Sequence, residues 1–356
     1  MRERQYESLY VGKKVIKMDK IAVVGAGSWG TALAVLLSEK NIPIWLVARN
    51  ATKASYMREF RENITYLPGV KIPENVNLTA DYAEIADADM YVIAVPSHVT
   101  LDTIRAIKKN ASTNKGLLFV NVAKGFDEKT GNRLSQEAAK ILGEKDLFCT
   151  LSGPTHAEEV GRKMPAAIVA ASENDEAAKR VQELFMTDRF RVYTNSDLAG
   201  VEIAGATKNV IALAAGITAG LGFGDNSVAA LVTRGLHEIT TLGIAMGANQ
   251  ETFSGLAGIG DLMVTCNSRH SRNRSCGVEL GQRKKLKDIL NESSMVVEGV
   301  KAAKITKELC ERYGVEMPIA DEVFQILFKD KDPQESVLDL MLRQKKKEWH
   351  LGIEEE

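Results

Sequence analysis

Proline is scarce in this chain: the 8 prolines among 356 residues stand at positions 43, 68, 73, 96, 154, 165, 318 and 333, so none falls between 166 and 317. Because proline costs about 3 kcal/mol in a helix interior, that long span is free to be helical. Cysteine is scarce as well. Cys149, Cys266, Cys276 and Cys310 form no CxxC and no metal-ligand spacing with the five histidines, which reads as buried thiols in a reducing compartment and not as a zinc site or disulfide framework. A dominant charge sign is missing too, since 46 Lys and Arg face 47 Asp and Glu for a net charge of −1. Nothing in that balance favours nucleic acid or an anionic membrane. The most apolar stretch, residues 209–223, is Gly/Ala-rich and closely bounded by Lys208 and Asp225. It falls short of the roughly 20 residues that span a bilayer, so a buried helix is expected. The first 18 residues carry charge throughout and have no apolar core, so neither a signal peptide nor an anchor is expected, and the C-terminal GIEEE is no peroxisomal address. A cytoplasmic location is the expectation. Glycine, by contrast, is plentiful: 14 of the 28 fall between positions 200 and 281.

Up to about residue 195 the chain alternates short apolar runs with helical stretches. Residues 20–25 (KIAVVG), 43–48 (PIWLVA), 90–95 (MYVIAV), 117–122 (LLFVNV), 147–152 (LFCTLS) and 166–171 (AAIVAA) read as strands buried on both faces. Stretches such as 28–40 and 130–142 read as crossover helices, which predicts a parallel doubly wound sheet. A last strand is expected at 190–194, followed by a helix capped at Asn195 or Ser196 with Asp197 in its first turn. From there to about residue 345 the periodicity is helical. The predicted fold is an α/β Rossmann-type doubly wound sheet (residues 19–195) followed by a separate all-α domain (196–345), with an N-terminal extension (1–18) and a charged tail (346–356).

Directly after the first run stands Gly25-Ala26-Gly27-Ser28-Trp29-Gly30. In a GxGxxG turn the first glycine permits the tight bend, the second lets backbone approach a pyrophosphate and the third lets the helix pack on the strand. The phosphates then meet free N–H groups at the helix N-terminus. A dinucleotide site is therefore predicted. At the end of the second run, where an NAD site usually shows an acidic residue, the sequence reads Ala48-Arg49-Asn50. With no carboxylate to repel a 2′-phosphate and Arg49 able to pair with one, NADP(H) is allowed beside NAD(H). No metal is expected.

Carbonyl reduction needs a positioned proton donor. The histidines, including His98, His156, His237, His270 and His350, read as structural, which leaves lysine. Lys124 ends the fourth run, at the sheet edge where ligands bind in open α/β folds. Lys208 sits in VEIAGATKNVIALAAG among small and apolar residues, where a charge is costly to bury without a partner or a role. Further on, Arg269, Arg272 and Arg274 lie within six residues, mixed with Ser271 and Asn273. This is either an anion clamp or a solvated basic turn.

GAGSWGTALA, VPSH, VAKG, LSGPTHAEEV, VEIAGATKNVIALAAG, GDN, GLAGIGDLMVTC, SRNR and VVEGV, in that order over roughly residues 19–300, resemble the bacterial-type NAD(P)-dependent glycerol-3-phosphate dehydrogenases. The resemblance implies an active site in the cleft between a Rossmann domain and a helical domain, and interconversion of sn-glycerol 3-phosphate and dihydroxyacetone phosphate for phospholipid synthesis. It implies Lys208 as general acid/base, Lys124 as its assistant at the substrate and Asp261 as the residue orienting both lysines. It further implies a substrate held by Lys124, Gly153, Thr155, Lys208, Asp261, Ser271, Arg272 and Asn273. The cofactor would lie on Gly25, Gly27, Ser28, Trp29, Gly30, Arg49, Asn50, Lys124, Ala157, Arg272, Val296 and Glu298. Lys208 should have its pKa lowered from about 10.4 to about 7–8, since burial and Lys124 both act that way while Asp261 opposes them.

The chain departs from the family pattern at Thr155, where serine is frequent, and at Ser227-Val228, where a small residue and lysine commonly follow GDN. It also carries 17 residues before Met18. The expected partner is a small phosphate ester, with no nucleic acid, no membrane insertion and a homodimeric assembly. Two alternatives stay open at this point: another two-domain dehydrogenase, acting on 6-phosphogluconate or ketopantoate, and a non-catalytic NAD(P)H sensor.

Overall fold

The computed structural model describes residues 20–40, 42–112, 116–292, 297–345 and 347–348. Its first part is an eight-stranded sheet. In chain order the elements are β1 (Ile21–Val24), α1 (Ser28–Leu37), β2 (Ile44–Val47), α2 (Ala51–Phe60), the small ribbon β3 (Glu62–Asn63) and β4 (Leu67–Lys71), β5 (Val76–Thr79) and β6 (Met90–Ile93). Then come α3 (Ser97–Asn110), β7 (Leu118–Asn121), α4 (Leu134–Ala139), β8 (Leu147–Ser152), α5 (Ala157–Gly161), β9 (Ala166–Ala171), α6 (Asp175–Phe185) and β10 (Phe190–Asn195). Across the sheet the order is β5-β2-β1-β6-β7-β8-β9-β10. With the ribbon set aside, the first six strands follow the 3-2-1-4-5-6 order of dinucleotide-binding sheets, whose order reverses between β1 and β6. β1, β6 and β7 are buried along their whole length, which is why their sequences are apolar apart from Asn121 at the end of β7.

The sheet is not wholly parallel, contrary to the expectation. β9 pairs with β8 antiparallel, and β10 then runs parallel to β9. The link from β8 to β9 contains only the five-residue α5 and turns the chain back along the sheet. β5 was not foreseen: VNLT is a partly polar edge strand with one neighbour, so it lacks the apolar run of its buried relatives.

Beyond β10 the described residues contain helices and no strand: α7 (Leu198–Gly220), α8 (Asp225–Ala245), α9 (Gln250–Phe253), α10 (Asp261–Asn267), α11 (Arg272–Gly281), α12 (Leu286–Glu292), α13 (Glu298–Tyr313), α14 (Pro318–Lys329) and α15 (Pro333–Met341). Asp197, expected inside the first turn of α7, is its cap instead. Its carboxylate accepts from Gly200 N at 2.9 Å and also from Asn249 N and Thr252 Oγ1.

α7 is the axis of the helical part, with α8, α10, α11, α13 and α14 packed around it. Among the described helices it alone has the length and apolarity of a membrane span, yet 94% of its apolar window is buried inside the protein. Its glycines explain how closely its neighbours come. A Cβ on Gly216 would stand 2.1 Å from Arg274 O, and one on Gly277 would stand 2.2 Å from Leu213 O. Gly220 and Gly281 repeat the arrangement one turn along. Small-residue spacing of four on both helices lets the backbones of α7 and α11 touch.

Two carboxylates tie the halves together. Glu202 of α7, 6% exposed, accepts from Ser135 N and Oγ and from Arg133. Glu298, opening α13, accepts from Ser97 N at 3.2 Å and from Ser97 Oγ at 2.8 Å.

Candidate active site

The carboxyl ends of β1, β6, β7 and β8 deliver four segments to one edge of the sheet, where ligands of open α/β folds bind. After β1, Gly25 bends the chain with φ +113°, and a Cβ there would meet Ala94 O at 2.4 Å. Gly30 is held as tightly, 1.9 Å from Gly25 O on the same test, whereas a Cβ on Gly27 would meet nothing within 4 Å. The turn is thus closed behind and open in front. Its open face is the N-terminus of α1, which has no acidic residue in its first turn and no side-chain cap. These features fit a dinucleotide pyrophosphate. Ser28 and half-buried Trp29 start α1, exposed Arg49 follows β2 and Asn50 caps α2 by accepting from Lys53 N at 2.9 Å. All of these lie on the same sheet edge.

Behind β7 and β8 lies the charged centre. Asp261 is 1% exposed and holds two ammonium groups: Lys208 donates to Oδ1 at 2.8 Å and Lys124 to Oδ2 at 2.7 Å. Lys124 also donates to Gly153 O at 3.0 Å, and Lys208 to Thr265 Oγ1. Each lysine comes from a different half of the protein, Lys124 from the end of β7 and Lys208 from the middle of α7. Asp261 reaches them because a wide π-type turn over Leu256–Gly260, closed by Gly260 N on Gly255 O, starts α10 at that residue. Within the turn Gly258 leaves no room for a side chain, since a Cβ would stand 2.1 Å from Phe253 O. Thr265, one helical turn after Asp261, then faces the same lysine.

Burial pulls the Lys208 pKa down to about 8; Asp261 pulls it up and Lys124 pushes it further down. Burial alone would raise the Asp261 carboxyl, but Lys124 and then Lys208 outweigh it and hold it below its ordinary value. At neutral pH the cluster is therefore an ionised carboxylate between two cations, one of which can release its proton near neutrality. Beside it, burial lowers the His156 pKa, with Lys208 and Lys124 adding to the effect against Glu158 and Glu159. The His156 and His270 rings lie 5.8 Å apart across the cleft.

The structure brings Gly153 and Thr155 to this centre from the β8–α5 link, while Ala157 packs with Trp29 and Ala32 of α1 on the nucleotide side. Gly153 has φ +155° with Ile168 Cα 3.1 Å from a would-be Cβ, Thr155 Oγ1 donates to Gly153 O, and Ala157 is buried at the start of α5. Ser271, Arg272 and Asn273 arrive from the other side, at the start of α11. Two of these have structural duties. Ser271 caps α11 through Arg274 N, and Asn273 Nδ2 donates to Asn209 Oδ1 while its Oδ1 accepts from Gly299 N. Arg272 is exposed at the first turn of α11. Glu298 engages Ser97, so it joins the nucleotide edge to α13. Val296 lies outside the described residues, as does His350.

Sequence reasoning passed over Thr265, Asn209 and Ser97. Thr265 was findable from its i+4 spacing to Asp261. Asn209 next to Lys208 and Ser97 in the VPSH turn carried no signal, because their partners are 64 and 201 residues away in sequence. Among the described residues no cluster of His, Cys, Asp and Glu suits a metal.

Two family models match the chain, the N-terminus of NAD-dependent glycerol-3-phosphate dehydrogenase over residues 20–178 and its C-terminus over residues 197–338. A glycerol-3-phosphate dehydrogenase [NAD(P)+] from Desulfitobacterium hafniense is 51% identical over 93% of this chain and 93% of its own length. The corresponding protein of Moorella thermoacetica is 48% identical over 94% of this chain and 99% of its own. The crystal structure of glycerol-3-phosphate dehydrogenase from Coxiella burnetii superposes with a TM-score of 0.87 at 36% identity, covering 91% of this chain and 99% of that one. A ketopantoate reductase from Ralstonia eutropha, at 14% identity and a TM-score of 0.59, shares the fold alone.

Proposed function

The chain belongs to the NAD-dependent glycerol-3-phosphate dehydrogenase family, and from that premise we propose that Lys208 is its proton donor, Lys124 the second cation at the substrate and Asp261 the residue that aims both. The protein is an NAD(P)-dependent oxidoreductase that catalyses reversible hydride transfer with dihydroxyacetone phosphate, giving sn-glycerol 3-phosphate.

Bound NAD(P)H supplies the hydride. Gly25, Gly27, Ser28, Trp29 and Gly30 hold its pyrophosphate side, Arg49 and Asn50 its adenosine end, and Ala157, Arg272 and Glu298 complete its cradle. As negative charge develops on the C2 oxygen of the substrate, Lys208 Nζ delivers a proton to it, and in the reverse direction neutral Lys208 removes the hydroxyl proton. Lys124 stabilises the same developing charge from the other side, in a site whose burial strengthens each electrostatic contact. Asp261 keeps both ammonium groups converged and stays ionised. Arg272 takes the substrate phosphate, with Gly153, Thr155, Ser271 and Asn273 shaping the pocket around it.

The observation that carries this reading is the shared carboxylate, with one lysine on each oxygen at the carboxyl edge of the sheet. A non-catalytic sensor has no use for two ammonium groups converged on one buried carboxylate. The assay is oxidation of NADPH and of NADH with dihydroxyacetone phosphate, beside glyceraldehyde 3-phosphate and ketopantoate. Turnover with the first substrate alone is expected, and none with it would overturn the assignment. We further place the enzyme in the cytoplasm as a homodimer, feeding glycerol 3-phosphate to phospholipid synthesis. Cell fractionation, light scattering and growth rescue by supplied glycerol 3-phosphate test those three points.

A further inference from the structure

The three most exposed large apolar side chains among the described residues stand together on α15 and its C-cap. Leu338 is 57% exposed, Met341 78% and Leu342 81%, and their i, i+3 and i+4 spacing sets them on one face of the helix. On the opposite face Ser336 is buried and Leu340 packs against the helical core. α15 is thus seated on the body with an apolar face turned outward, a feature that marks a contact surface. Directly after it come Arg343, Lys345, Lys346 and Lys347, with no acidic residue between 340 and 347, and Trp349 follows. Asp339, the acid just before them, is held by Lys331 at 2.6 Å, and Arg343 reaches Glu316 at 3.0 Å. Lys345 and Lys347 are exposed. Arg234 of α8 donates to Glu348 O at 2.8 Å, which ties the basic segment to the helical half. The whole-chain charge of −1 conceals this local excess.

We propose that this face of α15, with the basic segment behind it, docks on the surface of an anionic lipid bilayer and holds the enzyme there without a spanning segment. Apolar side chains beside a lysine cluster and a tryptophan match the two layers of that surface, acyl chains below and charged headgroups above. A second copy of the chain fits less well. Three side chains are a small part of the roughly 800 Å² per partner that a stable dimer buries, and a two-fold contact centred on them would crowd Arg343, Lys345 and Lys347 of both copies together. The proposal goes beyond the dehydrogenase reading and does not depend on it.

Co-sedimentation of the intact chain with lipid vesicles tests the idea without depending on turnover. Vesicles of phosphatidylglycerol and phosphatidylcholine in equal parts should bind the protein at least about tenfold more tightly than phosphatidylcholine alone, and salt at about 0.5 M should release it. Met341→Asp combined with Leu342→Asp should abolish binding while kcat stays within about twofold. Lys345→Gln combined with Lys347→Gln should weaken binding by about tenfold to thirtyfold. Equal binding to both kinds of vesicle, or binding to neither, would overturn the proposal. So would light scattering in which the aspartate variant loses an assembly that the intact chain forms, since the face would then belong to a second copy. Should the aspartate variant misfold, the lysine variant and the two vesicle compositions still decide. A failed dehydrogenase assignment would appear separately, as vesicle binding without reduction of dihydroxyacetone phosphate.

Discussion

Lys124 and Lys208, 84 residues apart in the chain and on different halves of the protein, donate to opposite oxygens of one buried carboxylate, at 2.7 and 2.8 Å. The carboxylate converts two mutually repelling cations into a fixed pair and leaves burial to set how readily one of them gives up its proton.

Replacing Lys208 by methionine should remove the proton donor and little else, because the aliphatic stem still fills its place in α7. We expect kcat to fall by about 10² to 10⁴ with NADPH affinity preserved. Near-normal turnover by Lys208→Met would sink the assignment.

The pKa of about 8 at Lys208 sets opposite pH dependences for the two directions. Reduction of dihydroxyacetone phosphate needs the protonated amine and should decline as pH rises through about 8; oxidation of glycerol 3-phosphate needs the neutral amine and should rise through the same point. Asp261→Asn removes an influence that raises this pKa, so both limbs should move to lower pH. An unmoved profile would show that another group titrates.

Thr265→Val keeps the shape of the side chain and deletes the oxygen that accepts from Lys208. Losing an acceptor for a buried ammonium costs about 1–3 kcal/mol. The expected result is a lower kcat with an unchanged KM for NADPH and a reduction limb shifted to lower pH. A change in thermal stability alone would mean that Thr265 only packs.

Arg272→Ala should raise the KM for dihydroxyacetone phosphate by roughly tenfold to a hundredfold, the value of charge-assisted hydrogen bonds to a phosphate. Arg272→Lys should restore part of that loss as a point charge. Steady-state kinetics would reject the clamp if neither variant changed the KM.

Gly277→Ala tests the helix crossing that carries Arg272. A Cβ there would stand 2.2 Å from Leu213 O, so α11 must move off α7 at a cost of about 1–3 kcal/mol. Denaturant unfolding should register the loss, and the substrate KM should rise with it, since α11 presents Arg272 at its first turn.

Local sequence determined much of this protein. The apolar runs of β1 and β6, and of β7 up to its terminal Asn121, are legible because strands buried on both faces favour apolar side chains. GxGxxG is legible because a tight βα turn under a pyrophosphate admits no side chains. Lys208 betrayed itself as a charge among small apolar residues, and the crowding of glycines between 200 and 281 has its physical counterpart in the crossing of α7 and α11. The reversal of β9 and β10, the cap at Asp197 and the edge strand β5 were decided by pairing across the sheet and between helices, which no single segment encodes. The same holds for the site's supports. Thr265, Asn209 and Ser97 are ordinary polar residues in sequence, and they matter because folding places a lysine, an asparagine and a glutamate against them. Hydrophobic pattern and turn chemistry are local and can be read along the chain. The partner of a buried charge is a property of the tertiary fold, because burial removes water as the alternative partner and leaves only what the packing brings near.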